Sequence, residues 1–306
     1  MKTQYLYDSC GAGKICAHCW IPEGEIRAIV QIVHGIVEHM GRYDQFARYL
    51  NKHGILVVGE DHMGHGISAS NGSVKGYFTG GWDAAIRDTY RLTQDTMAKY
   101  PDVPFFLLGH SMGSFMARTI LWKYPNSGIR GAVISGTAWM DQGALLLGKT
   151  AAGLFCRYNN PKTPAKILND MAFGSYNKRV EHPRTPSDWL SRDAVRVDDY
   201  IADPMCGFVP SGGLMKEMME AVAEIQKKEN LESMNPELPV LFVAGGDDPV
   251  GNYGKGVRET AAQFELAGVR QVEVKIFPLC RHEILNEINR AEVFRIIRRW
   301  ILEKMA

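Results

Sequence analysis

The run Phe105-Phe106-Leu107-Leu108-Gly109-His110-Ser111-Met112-Gly113-Ser114-Phe115-Met116-Ala117-Arg118 joins two periodicities: a short apolar strand enters G-x-S-x-G, and an amphipathic helix starts at once. A residue on so sharp a strand-to-helix turn sits in strained backbone, and glycines beside it let the turn close and a substrate approach. Ser111 is thereby expected to present its hydroxyl at a helix N-terminus. A serine hydroxyl is a weak nucleophile near neutral pH. It needs a base within hydrogen-bonding reach and an acid that holds the base in its useful tautomer. With this turn the expected chain order is serine, acid, histidine.

On both sides of the turn, strand and helix patterns alternate. Strands are expected at residues 26–33, 55–59, 104–108 and 131–135, with helices at 43–53, 82–100 and 114–124. After a long gap the alternation resumes with strands at 239–244 and 271–277 and helices at 257–267 and 290–303. Such alternation predicts an α/β fold with a mostly parallel sheet covered by helices on both faces. Strand-like runs at 4–8 and 14–21, separated by Gly11-Ala12-Gly13, read as an opening antiparallel hairpin. Roughly 100 residues separate Ser135 from Pro239, far more than a crossover needs. Residues 137–236 are therefore expected to form an inserted, mainly helical cap, with helices at 142–156, 186–195 and 213–226, while 1–136 and 237–306 form the core.

The strand at 239–244 is followed by Gly245-Gly246-Asp247-Asp248-Pro249-Val250, which places a carboxylate, Asp247 or Asp248, at the C-terminal end of a sheet strand. The strand at 271–277 is followed by Pro278-Leu279-Cys280-Arg281-His282-Glu283, so His282 is the expected base. An oxyanion formed in the reaction needs backbone N–H donors. One is expected from Met112, directly after Ser111, and another from the loop after the strand at 26–33.

That loop reads His34-Gly35-Ile36-Val37-Glu38-His39-Met40-Gly41-Arg42-Tyr43, and it resembles the H-G-x-x-E-H-x-x-R-Y loop of the monoacylglycerol lipase and lysophospholipase group of α/β-hydrolases. Asp61-His62-Met63-Gly64-His65-Gly66 is similar to the group's D-x-x-G-H-G turn, and Gly109-His110-Ser111-Met112-Gly113 to its preferred elbow. The resemblance implies an α/β-hydrolase fold, Ile36 as the second oxyanion donor, and Asp248 rather than Asp247 as the acid. It also implies cleavage of carboxylic esters, with an acyl ester or lipid as substrate and neither cofactor nor metal. In the insert the likeness is loose and centres on Asp199-Tyr200-Ile201-Ala202-Asp203-Pro204. The same triad would serve an aminopeptidase or a thioesterase, and a ligand-binding protein could keep the pocket without turnover.

Lys and Arg number 35 against 34 Asp and Glu, so no global positive field draws the chain to nucleic acid. No signal-peptide stretch opens the sequence and no run approaches the roughly 18 apolar residues of a membrane span, so a cytoplasmic location is expected. Six sparse cysteines suit free thiols in a reducing compartment. The C-x-x-C at Cys16 and Cys19 lies in a strand, where residues three apart face opposite sides, and no second ligand pair follows. Asp61, His62 and His65 have a metal-like spacing that the glycine turn already explains, while His34 and His39 with Glu38 are expected to order the loop around Ile36. Met205, Met215, Met218 and Met219 suit a groove for variable acyl chains or plain core, and Asp188, Asp193, Asp198 and Asp199 a solvated face or an amine site.

Overall fold

The computed structural model describes residues 1–71 and 73–305. A hairpin of β1 (Lys2–Asp8) and β2 (Lys14–Trp20) is followed by β3 (Ala28–Val33), α1 (Asp44–Asn51), β4 (Ile55–Asp61), the single turn α2 (Gly66–Ala69), α3 (Gly81–Lys99), β5 (Phe105–His110), α4 (Met112–Lys123) and β6 (Gly131–Ser135). The insert contributes α5 (Gln142–Tyr158), α6 (Lys166–Phe173), α7 (Ala194–Ala202), α8 (Gly212–Glu224) and α9 (Lys228–Glu232). The chain then returns through β7 (Val240–Gly245), α10 (Lys255–Leu266), β8 (Val272–Phe277) and α11 (Arg290–Glu303). Among the described residues the strands form one sheet in the order β1-β2-β4-β3-β5-β6-β7-β8. β2 is antiparallel to both neighbours, and each pair from β4–β3 onward is parallel.

Sequence alternation sets the layers. Ile29, Phe105, Leu107 and Phe242 face one apolar cluster, shared with Ile86 of α3, Phe115 of α4 and Phe264 of α10. Their neighbours Val30, Phe106, Leu108 and Leu241 face the other, with Phe46 of α1 and Ile297 of α11. Strands buried on both faces are what a parallel sheet requires. Leu214, Met218 and Val222 of α8 belong to the first cluster, so the insert packs into the core on that side.

The chain leaves β3 toward β4 on one side and comes back to β5 on the other, so the strand order reverses at β3. At such a switch point the loops at the carboxyl ends diverge and open a crevice. The loop after β3 and the turn after β5 flank it, and Val33 pairs with Gly109 at its base.

Two differences from the sequence reading concern the insert. No helix spans 186–195: Asp188–Leu190 is one 3-10 turn and α7 starts only after Asp193. Local side-chain bonds break it, because Ser191 Oγ accepts the Asp193 N–H at 3.0 Å and Asp193 accepts the Val195 N–H at 3.2 Å as N-cap. The helix α6 was not anticipated between the prolines.

Gly113 marks the tightest contact around the crevice, since a Cβ there would stand 2.0 Å from the Val33 carbonyl oxygen and 2.5 Å from that of His34. Gly113→Ala is expected to cost about 3 kcal/mol by overpacking, read as a lower urea midpoint. Gly153→Ala in α5, where a new Cβ meets nothing within 4 Å, is expected to stabilise by ~0.5–1 kcal/mol in the same experiment.

Candidate active site

Ser111 is the turn between β5 and α4, with φ 53° and ψ −121°. Such a conformation costs on the order of 1–3 kcal/mol and must be held by its surroundings. The Ser111 N–H donates to the Ser135 carbonyl at 2.9 Å, and its own carbonyl accepts the Ser114 N–H at 2.8 Å and the Ser114 hydroxyl at 2.6 Å. Neighbouring strand and following helix therefore pin the turn from both sides.

His282 and Asp248 come together in the loops after β8 and β7. His282 Nδ1 lies 3.0 Å from Asp248 Oδ2, and both side chains are buried. That contact assigns the Nδ1–H tautomer, leaving Nε2 as the acceptor. Asp248 Oδ1 accepts the Val250 N–H at 2.9 Å. The neighbouring Asp247 is exposed, so geometry separates the two adjacent carboxylates. Burial lowers the His282 pKa, but the Asp248 charge and hydrogen bond, with Glu283 and Glu38 adding to them, outweigh burial and raise it above the ordinary histidine value. The His110 ring, 4.7 Å from His282, is brought down to about 4 by burial and by the His282 charge.

Ser111, His282, Ile36 and Met112 all line one cavity of about 670 Å³. Its far walls come from the insert, including Leu147, Phe173, Trp189, Met215, Met218 and Met219. Among the described residues no loop backbone bond engages the N–H of Ile36 or of Met112. Of the four methionines singled out by spacing, Met205 alone does not line the cavity.

The four acidic residues singled out in the insert are committed elsewhere. Asp188 accepts the Arg184 N–H and the Thr185 hydroxyl, Asp193 caps α7 and pairs with Arg290 at 2.8 Å, Asp198 pairs with Arg184 at 2.9 Å, and Asp199 with Arg196 at 3.4 Å. Cys16 is buried and Cys19 is not, so the C-x-x-C pair does not converge, and all six cysteines are free among the described residues. Ligand atoms of Cys16, His18 and Asp61 lie within 4.8 Å of one another. Asp61 is already occupied by the N–H groups of Met40 and Ile67 at 2.8 Å each and by His18 at 3.1 Å. His62 and His65 pack at tilted angles against His34 inside the fold, and burial brings His65 down to about 3.

The loop after β3 is ordered by a buried ionic network. His34 Nδ1 donates to the Gly35 carbonyl at 2.7 Å, and Nε2 accepts the His62 N–H at 3.0 Å. Glu38 Oε1 accepts the Gly35 N–H at 2.6 Å and the Tyr43 hydroxyl at 2.8 Å. Arg42 joins Glu38 Oε2 at 2.8 Å to both oxygens of Glu283 at 2.5 and 2.6 Å, tying this loop to the residue after His282. Glu283 was not singled out by sequence; its only signal there is a charge beside a histidine at the end of a strand. Burial raises the Glu283 pKa, but Arg42 outweighs it and holds the carboxyl below the ordinary glutamate range. Its stabilisation is therefore present above the unfolded glutamate value of about 4.3 and is lost as pH falls through the lower folded value. Arg42→Met should cost about 3–5 kcal/mol at pH 7, with the deficit shrinking below pH ~4 in urea unfolding.

Known proteins share this arrangement of chain. The family described as serine aminopeptidase, S33, matches residues 24–289. Monoglyceride lipase of Mus musculus is 28% identical over 93% of this chain and 88% of its own, and monoacylglycerol lipase of Mycolicibacterium smegmatis 26% identical over 99% and 98%. The solved carboxyl esterase from Bacillus coagulans in complex with glycerol superposes with a TM-score of 0.92 at 29% identity, covering 100% of this chain and 99% of that one. With most of its length matched, and with the reversed strand order and serine turn described above, this chain belongs to the serine aminopeptidase S33 family of α/β-hydrolases.

Proposed function

We propose that this protein hydrolyses carboxylic esters of the monoacylglycerol or lysophospholipid kind through an acyl-enzyme on Ser111. The observation that carries the reading is the His282–Asp248 contact of 3.0 Å, with His282 lining the same largely apolar cavity as Ser111. His282 Nε2 takes the seryl proton as the oxygen attacks the ester carbonyl, and Asp248 stabilises the imidazolium that forms. The N–H groups of Ile36 and Met112 hold the oxyanion. His282 then gives the proton to the leaving alcohol, and water repeats the sequence to release the acid. In this reading residues 137–236 are the cap, whose Met215, Met218 and Met219 adapt to an acyl chain. An amine-binding role for Asp188, Asp193, Asp198 and Asp199 loses support, because each of these four has a partner of its own and none of them lines the cavity.

Hydrolysis of p-nitrophenyl esters from acetate to laurate tests the reading. Ser111→Ala should abolish turnover, and kcat/KM should rise with chain length. Inactivity of the native protein on the whole series would overturn ester hydrolysis.

The base must be unprotonated, and its pKa is raised. The acid limb of kcat/KM should therefore have its midpoint above the unperturbed value of about 6.5, with activity lost as pH falls through it. Asp248→Asn should lower kcat by roughly 10⁴-fold and move that midpoint down. A pH profile of both proteins checks the sign.

A further inference from the structure

Val37 follows Ile36 with φ 52°, a conformation that a β-branched residue adopts only under constraint. The constraint comes from the insert. The Val37 carbonyl accepts the Gly207 N–H at 3.0 Å and faces the Tyr200 hydroxyl at 3.5 Å. Gly207 itself has φ 62°, and a Cβ there would meet the Tyr200 ring at 3.3 Å. Two residues further along the loop, His39 Nδ1 accepts the Gly41 N–H at 3.1 Å and Nε2 donates to Asp203 Oδ2 at 2.8 Å. Asp203 Oδ1 accepts the Met205 N–H at 2.8 Å, which keeps the segment after α7 turned toward the loop. The Arg42 guanidinium covers the Tyr200 ring at 4.8 Å, and Lys75 Nζ reaches the Pro204 carbonyl at 2.6 Å.

The peptide planes on either side of the Ile36–Val37 link are therefore fixed by different parts of the fold. The plane before it is set by the core, through His34 on the Gly35 carbonyl. The plane after it, Val37–Glu38, is set through the Val37 carbonyl by residues 200–207 of the insert. We propose that this segment is a clasp that positions the oxyanion loop, with Tyr200, Asp203 and Gly207 as positioning residues for the Ile36 N–H. The proposal rests on Ile36 being an oxyanion donor. Its consequence is that the insert does more than wall the acyl cavity: where it sits alters how well the transition state is stabilised.

Asp203→Ala removes both bonds made by the carboxylate, and Asp203→Asn keeps one of them. With p-nitrophenyl butyrate as substrate and an alkyl trifluoromethyl ketone as inhibitor, Asp203→Ala is expected to lower kcat by about 10- to 100-fold and leave KM within about 2-fold. The ketone forms a tetrahedral adduct that places an oxyanion against the same donors. Its affinity should fall by the same factor as kcat, and Asp203→Asn should lie between Asp203→Ala and the native protein for both quantities. Unchanged kcat and ketone affinity in Asp203→Ala would overturn the clasp, as would a rise in KM alone, which assigns the segment to substrate binding. If Asp203→Ala does not fold, Asp203→Asn decides by the same two readouts. Failure of the underlying reading is distinguishable: the native protein would then neither turn over the ester nor be labelled at Ser111 by a fluorophosphonate, and the clasp would fall with it.

Discussion

Arg42 is the charge around which the crevice is arranged. Its guanidinium lies between two buried carboxylates, Glu38 five residues from β3 and Glu283 next to His282, and it bonds to both. Removing three charges from water is expensive, and replacing such groups by apolar ones is often neutral or stabilising. What the network contributes is geometry. Glu38 spends its second oxygen on the Gly35 N–H and the Tyr43 hydroxyl, so the position of Arg42 fixes the path of the loop that bears Ile36. Glu283 fixes the loop that bears His282 at the residue directly after it. Two loops from opposite parts of the sheet thus share one cation, and a shift in one is felt in the other.

The insert adds a second level of coupling. Its helix α8 is buried in the same apolar cluster as α3 and α4, which gives it a fixed seat on the sheet. Arg118 of α4 strengthens that seat: buried, it donates to the Ala138 carbonyl at 3.0 Å and the Ile225 carbonyl at 3.3 Å, at the two ends of the insert. Gln226 bonds Met140 through both its amide oxygen and nitrogen, at 2.9 Å each, and closes the same stem. In contrast, α5 and α6 expose Leu146, Leu147, Leu154, Ile167 and Met171. The insert is thus anchored where it joins the core, and it leaves these apolar side chains of α5 and α6 exposed.

The sheet and the serine turn were legible in the sequence because both depend on neighbours in the chain. Apolar alternation marks strands, amphipathic periodicity marks helices, and G-x-S-x-G between the two marks the turn. The insert was less legible for the opposite reason. Residues 186–195 read as helix-like, yet Ser191 and Asp193 satisfy backbone N–H groups locally and interrupt the run. Asp247 and Asp248 are chemically identical neighbours that strand order alone does not separate; the family resemblance points to Asp248, and in the fold Asp247 is exposed while Asp248 meets His282. Partners distant in sequence were not legible at all: Glu283 and Arg42 are 241 residues apart, and Asp203 and His39 are 164 apart.

Burying so many carboxylates near one imidazole has a chemical consequence. Asp248, Glu283 and Glu38 each raise the pKa of His282, while burial opposes them. A higher pKa makes the proposed base stronger, but it also leaves less of it unprotonated near neutral pH, so the best value lies close to the working pH. The two glutamates that do not touch the ring are both bonded to Arg42. The cation that orders the two loops is thus also the partner of two of the carboxylates that act on the proposed base, and its place between Glu38 and Glu283 links geometry to proton affinity.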